Sequence, residues 1–339
     1  MGTIYDIYNE QINCLKNEFG ENTSSPISSI EDLGNEDKCK KLIFNILKVF
    51  RKEYLSSSVN IKQLRTDRIT HVVSCFFMGR WLYQTFFKDV LDDNYFQRLN
   101  MKGENPDKDF DFLWALTCLY HDAGYAYENG NKCMLPDFSL ISEEHRSEYV
   151  PVIYSLANIK CYEILRRENH AKLDHGIYGA LELRKDLNGF LTKDLPPGRT
   201  PMKAYECAVW SIMCHNIWFI EPKSACENCY KAKGLHEFIL QNAREDVNIC
   251  DFPLFYLLSL ADNLEPSKTL PDYNNWECIE FLPSNHSLTI QKNNKLDESE
   301  KIDVYIKSIQ DLDNWLISIN PRKEETKCET PQEIVLTSI

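Results

Sequence analysis

The spacing of apolar positions along the chain predicts a mainly helical protein. Tyr5, Ile7, Tyr8, Ile12 and Leu15 recur at helical intervals over residues 1–20. A polar stretch rich in Asn, Ser and Gly, 20–37, reads as a loop. Residues 38–57 predict a second helix with Ile43, Ile46, Leu47, Phe50 and Tyr54 on one face. After a break at Ser56-Ser57-Ser58-Val59-Asn60 comes a helix through Arg68-Ile69-Thr70-His71, running on past Phe76-Phe77-Met78 to Trp81-Leu82. It is apolar nearly all round, as a buried helix is. Residues 92–108 read as a polar loop. The apolar run Phe112–Leu116 then leads into Tyr120-His121-Asp122-Ala123-Gly124-Tyr125, where Gly124 suits a helix terminus. Val152 to Leu165 predicts an amphipathic helix, with His170 in the loop behind it. Asp174-His175 opens another helix, Ala204 to His215 a strongly apolar one, and Phe252 to Asp262 a buried one.

After Pro266 the pattern changes. Trp276–Leu282 and Ser287–Gln291 alternate as two short strands do, joined by a turn around Pro283-Ser284-Asn285. A helix follows with Ile302, Tyr305, Ile306, Ile309 and Leu312 on one face, and the tail carries Glu333-Ile334-Val335-Leu336. The expected organisation is a mainly α protein: an N-terminal helical extension (1–60), a helical core (61–267) and a small C-terminal α+β appendage (268–339). The irregular stretch 127–150, which contains a solvated His145 flanked by charges, is long enough to close over a site as a lid.

The candidate chemistry lies at helix ends. His71, His121-Asp122, His175, His215 and Asp262 all sit in helical, mostly apolar settings. An imidazole takes one metal ion, and the two oxygens of a neighbouring carboxylate can bridge to a second. Asp262 ends an apolar run, where a charge is costly unless it is paired or coordinated. A lone His in a helix such as Ala204–His215 is more often a satisfied core residue than a ligand; the other five change that weighting.

In order, these residues give H…HD…H…H…D, and the chain thereby resembles the HD-domain superfamily from about Arg65 to Ser267. His121-Asp122-Ala123-Gly124 is similar to its H-D-x-G core, Asp174-His175-Gly176-Ile177-Tyr178-Gly179-Ala180 to its D-H-G-x-x-G-A segment, and Leu260-Ala261-Asp262-Asn263-Leu264-Glu265-Pro266 to its closing A-D-x-x-E-P segment. The resemblance implies an all-helical bundle around two divalent metal ions. The ligands would be His71, His121, Asp122, His175, His215 and Asp262. It also implies hydrolysis of phosphate esters, with Asp122 bridging the ions and a metal-bridging hydroxide as nucleophile. The nitrogen and oxygen donor set suits Mn, Fe, Ni, Co or Zn and does not choose among them.

Arg68 shares a helix face with His71 and is a candidate anion contact, with Lys268, Asn216 and Tyr125 as further substrate-binding candidates. Asp174 fits a helix cap, or a carboxylate that orients His175 and so serves catalysis. Gly176 and Gly179 narrow their helix so that another backbone can approach. Two departures matter. Tyr125 stands where many members carry Lys, and Cys214-His215 stands where the CRISPR-associated HD nucleases carry paired histidines. A mixed-valent diiron oxygenase of the same fold, cleaving a C–C or C–P bond, is the competing class. A module that keeps the fold without turnover is the third.

Composition narrows the partners. The chain of 339 residues has a formal net charge of −13, 43% hydrophobic and 26% charged residues. Basic residues are dispersed, which favours a small phosphorylated substrate such as a nucleotide over long nucleic acid. No apolar run approaches a membrane span, so no membrane partner and a cytoplasmic location are expected. The oligomeric state stays open, a homo-oligomer included. Thirteen cysteines, scattered through helices, read as reduced buried thiols; Cys226-x-x-Cys229 lacks the second pair that a zinc site needs.

Overall fold

The computed structural model describes residues 2–19, 25–54, 68–101, 105–128, 136–170, 173–191, 202–217, 232–235, 249–284, 287–293, 300–310, 318–321 and 333–337. By its contacts the chain divides into two units. The first comprises 1–45, 66–89 and 260–339, and the second 46–65 and 90–259. Both are built mainly of helices, and the only strands among the described residues belong to the first.

In the first unit, strand β1 (Gly2–Thr3) runs into helix α1 (Ile4–Phe19). Thr3 Oγ1 accepts from Asp6 N at 3.1 Å, and Asp6 Oδ2 accepts from Thr3 N at 3.0 Å, a reciprocal pair that starts the helix as a capping box does. Ile4, Ile7, Tyr8, Ile12 and Leu15 form its buried stripe. Helix α2 (Glu36–Tyr54) starts in this unit, with Asn35 Oδ1 accepting from Lys38 N. Helix α3 (Ile69–Leu82) is buried at every position but Thr70 and passes directly into a wider π turn, Tyr83–Phe87.

The C-terminal segments complete this unit. Strands β2 (Ile279–Ser284) and β3 (Ser287–Lys292) pair antiparallel, with Phe281 opposite Ile290. The α-helical segment Glu300–Gln310 buries Ile302, Tyr305, Ile306 and Ile309. Strands β4 (Ser318–Pro321) and β5 (Glu333–Thr337) finish an antiparallel sheet of order β1-β2-β3-β5-β4. The N-terminal residues therefore form one edge of the sheet made by the C-terminal ones. The linear boundaries at 60 and 267 and this division differ for that reason: α1 packs on α3 and on the turn before β2, not on a core of its own.

The second unit holds α4 (Asp93–Arg98), α5 (Pro106–His121), α6 (Tyr125–Glu128), α7 (Leu156–His170), α8 (His175–Leu191) and α9 (Met202–Cys214). Helix α10 (Pro253–Leu264) begins in this unit, and the boundary falls between Ser259 and Leu260. Asn105 caps α5, with Pro106 in its first turn. Helices α5, α8 and α9 pack against one another.

Several expectations need correcting. The stretch 92–108 is not all loop. Asp92 Oδ1 accepts from Tyr95 N and starts α4, which buries Tyr95 and Phe96. The described part of 127–150 is packed: Phe138, Ile141, Tyr149 and Val150 are buried, Arg184 Nε donates to Leu140 O, and Trp210 Nε1 donates to Ser142 O. Residues 129–135 of the expected lid lie outside the described residues. Trp276–Cys278 belongs to a 3-10 turn, Tyr273–Cys278, capped by Asp272, so the strand begins only at Ile279 and extends through Pro283 and Ser284. His170 ends α7 and is not in a loop.

Cys39, Cys75, Cys118, Cys207, Cys214 and Cys278 are buried, whereas Cys226 and Cys229 lie outside the described residues. Among the described residues no helix is long and apolar enough to cross a membrane.

Candidate metal centre

Each unit carries part of the expected ligand set, His71 and Asp262 in the first and His121, Asp122, His175 and His215 in the second. In the second unit, His121 is the last residue of α5, Asp122 caps that helix, His175 is the first residue of α8, and His215 follows the last residue of α9. Helix ends bring them together. His121 Nδ1 donates to Cys118 O at 2.7 Å, and His215 Nδ1 donates to Ile212 O at 2.7 Å. These carbonyls belong to final helical turns, where no intrahelical partner is available, so an imidazole is a natural partner for them. With the proton on Nδ1, each ring carries its lone pair on Nε2.

Close approach of the three helices depends on glycine. A Cβ on Gly179 would lie 2.2 Å from Tyr120 O, and one on Gly176 would lie 2.7 Å from Ile212 O and 3.0 Å from the His215 ring. This is the packing role expected of both. The His121 and His215 rings stand 5.5 Å apart, centroid to centroid, and His175 and His215 stand 5.4 Å apart. Asp122 Oδ1 lies 3.4 Å from His121 Nε2 and 3.6 Å from His175 Nε2. Asp122, His175 and His215 each offer a ligand atom, all within 4.8 Å of one another, and all three residues are buried.

Around His175 the candidates take definite places. Tyr125 stacks on the imidazole, with centroids 3.9 Å apart and planes 17° apart, and Asn216 Nδ2 lies 3.1 Å from His175 Nε2. Asp174 Oδ1 accepts from Gly176 N and Ile177 N, and its Oδ2 accepts from Tyr162 O–H at 3.1 Å. Of the two roles open to Asp174, these hydrogen bonds are those of a cap, which fixes the start of α8 and thus the residue that carries the imidazole. Behind it, Glu163 Oε2 accepts from Asp174 N, while Oε1 has no hydrogen-bond partner among the described residues. Burial and then the charge of Asp174 push the Glu163 carboxyl up to about 8, against the pull of Asp174 N–H, Arg166 and Arg167. Glu163 is therefore largely protonated at neutral pH.

In the first unit, His71 sits in the first turn of α3. Its Nδ1 donates to Glu265 Oε2 at 2.6 Å, and its Nε2 lies 3.1 Å from Asp262 Oδ1. Lys268 Nζ donates to the same Asp262 oxygen at 2.6 Å. Arg68 is half-buried at the N-cap of α3, three residues before His71. Glu265 is the residue that the sequence reading missed. It lay within the quoted Leu260–Pro266 segment, but nothing local shows that its partner is 194 residues away. Burial raises its carboxyl, but pairing with His71 and the hydrogen bond from Ser267 N outweigh this and hold it below the ordinary value.

These donors fit a divalent ion. Two ligand atoms bonded to one ion at ~2.1 Å stand roughly 3.0–3.4 Å apart. The 3.1 Å between His71 Nε2 and Asp262 Oδ1 matches that edge, and the 3.4 and 3.6 Å separations around Asp122 are at or slightly beyond it. In each unit an imidazole with Nδ1–H committed elsewhere stands beside a carboxylate, which offers nitrogen and oxygen donors of the kind first-row divalent metals take. The buried His and Asp groups could thus hold metal ions. Compared with known proteins, the chain matches no family model, no curated protein and no solved structure, so the reading of this centre rests on its own geometry.

Proposed function

We propose that this chain is a metal-dependent phosphohydrolase of the HD-domain kind, acting on a nucleotide or another small phosphorylated metabolite. The observation that carries the reading is the proton placement on His71, His121 and His215, each of which donates from Nδ1 to a fixed acceptor. A histidine held in this way turns a bare Nε2 to a metal. Asp122 and Asp262 add negative charge, and His71 with Asp262 in one unit, and His121, Asp122, His175 and His215 in the other, would serve as ligands to divalent ions. Bound there, such ions supply Lewis-acid neutralisation of a phosphoryl group and acidify water for attack on phosphorus.

The remaining residues bind and orient. Lys268, already at Asp262, and Arg68, beside the His71 turn, are the cations proposed to meet substrate phosphate. Tyr125 and Asn216 hold the His175 ring, which favours a positioning role for both alongside any contact with substrate. The net charge of −13 favours a small substrate over a polyanionic strand.

The test is metal analysis of freshly purified protein, followed by hydrolysis assays on bis(p-nitrophenyl) phosphate and a panel of nucleotides. Bound or reloadable divalent metal, with hydrolysis that Asp122→Ala and His215→Ala both abolish, is the expected result. Protein that neither holds nor takes up metal would overturn the reading. Iron with a mixed-valent paramagnetic signal and oxygen uptake would replace it with the oxygenase class.

A further inference from the structure

The two ends of the Asn216 side-chain amide stand in different circumstances. Asn216 follows His215 in the turn beyond α9, and its backbone is held on both sides: Ile217 N donates to Cys214 O at 3.2 Å, and the Ser259 hydroxyl donates to His215 O at 3.3 Å. The amide Nδ2 lies 3.2 Å from His175 Nδ1 and 3.1 Å from His175 Nε2. An atom nearly equidistant from both ring nitrogens cannot lie in the ring plane, because Cε1 stands between them. Nδ2 therefore sits over one face of the imidazole as an N–H···π donor. Tyr125, stacked at 3.9 Å, covers the other face. The opposite end of the amide is unsatisfied, since Oδ1 is buried and has no hydrogen-bond partner among the described residues.

A buried amide oxygen without a donor costs stability, and an orphan that a native protein keeps needs a reason. Its position supplies one. The N and O of one amide are ~2.3 Å apart, so Oδ1 lies within about 5.5 Å of His175 Nε2. Ligands on opposite sides of one ion stand ~4.2 Å apart, which puts Oδ1 within hydrogen-bond reach of the shell of an ion on that nitrogen. The chemistry of the atom then chooses its partner. A carboxamide oxygen only accepts, and phosphate oxygens mainly accept as well, so Oδ1 is no contact for a phosphoryl group. Water, the other reactant in hydrolysis, has protons to give. We propose that Asn216 is a catalytic residue that binds the attacking water through Oδ1, with its amide held by the turn behind it and by the face of His175. The proposal rests on the reading of the chain as a phosphohydrolase with His175 as a ligand. One water proton is given to Oδ1 as a hydrogen bond, which turns a lone pair of the water towards phosphorus. The water oxygen forms the new bond to phosphorus, and the ester P–O bond breaks with its electron pair on the ester oxygen. The proton shed by the water ends on that leaving oxygen. Asn216 is not basic and keeps no proton, so its contribution is orientation.

The experiment loads the full chain with manganese(II) and compares it with Asn216→Leu and Asn216→Asp. The readouts are hydrolysis of bis(p-nitrophenyl) phosphate, thermal melting, and a crystal structure of the loaded wild type. Asn216→Leu is expected to lower kcat about 100-fold with KM within about threefold of wild type. Without metal it should melt at or above wild type, because the orphaned oxygen is gone. Asn216→Asp keeps an oxygen in the same place and should hold kcat within about tenfold. The crystal structure should show a water within hydrogen-bond distance of Oδ1. Should Asn216→Leu fail to fold, the crystal structure decides alone. Wild-type kcat in Asn216→Leu, or a loaded crystal in which no water reaches Oδ1, would overturn the proposal while sparing the phosphohydrolase. Equal losses in both variants would place the effect in the N–H over His175 and overturn the acceptor role. A wild-type chain that takes up no manganese(II), or that takes it up and hydrolyses nothing, would overturn the function and this inference with it.

Discussion

The two units support their histidines in opposite ways. In the second, His121 and His215 donate to carbonyls three residues back on their own chain, and glycines let the helices carrying them meet. In the first, His71 depends on the side chain of Glu265, 194 residues away. Backbone support is local and indifferent to most side chains, but it tolerates almost no added volume. Side-chain support accepts volume changes nearby and fails when one functional group is lost. The histidines of the two units are thus robust to quite different mutations.

The largest effect should come from adding a methyl group in the backbone-supported part. Gly179→Ala puts a Cβ within 2.2 Å of Tyr120 O, where backbone must move. We expect a loss of about 3 kcal/mol or more in urea unfolding. A change below ~1 kcal/mol would show that the helix contact is soft.

Next is the buried acid network behind His175, where the second unit also relies on side chains. With Glu163 raised from 4.5 to about 8, the folded state holds a proton that the unfolded chain releases. Its stabilising contribution is full below pH ~4.5 and is lost as the pH rises to about 8, a decline on the order of a few kcal/mol. Glu163→Gln should flatten that slope in thermal melts across the same range, and an unchanged slope would assign the decline elsewhere. Asp174→Ala, which removes the cap on Gly176 and Ile177 and the partner of Tyr162, should cost roughly 2 kcal/mol in the same assay.

Smaller effects belong to the first unit. Tyr305→Phe leaves the buried Leu264 carbonyl short of a donor, worth about 1–2 kcal/mol in denaturant unfolding. Lys268→Met removes a partly exposed partner of Asp262, and its stability should stay within ~0.5 kcal/mol of wild type while hydrolysis falls. Equal hydrolysis in that variant would remove Lys268 from the proposed phosphate contacts.

The same contrast explains what could be read from the sequence. The helices α1, α3, α5, α8, α9 and α10 announce themselves by apolar spacing, and each candidate ligand stands near the end of such a run, so the buried His and Asp groups were legible. The supports of the second unit were partly legible too, because Gly176 and Gly179 are short-range features and Asp174 sits where a cap belongs. Glu265 was not. Its role depends on a side chain brought to it over a long separation, and a period of 3.6 carries no such information. Strand β1 is two residues long, too short to show alternation, and its partners lie near residue 280. Helix α4 was hidden because Asp92, Asp93 and Asn94 made its surroundings read as loop, while the buried Tyr95, Phe96, Leu99 and Met101 went uncounted.

The distance between His71 and Glu265 also has a consequence during synthesis. At about 5–20 residues per second, a ribosome needs roughly 10–40 seconds to go from one to the other. The stretches of the second unit, through residue 259, have all been made by then. Throughout that interval α3, apolar on almost every side, waits without the carboxylate that orients its histidine. The nascent chain is thus asked to keep a sticky helix out of trouble for many times longer than a helix needs to form. A folding helper that binds early would find its target there.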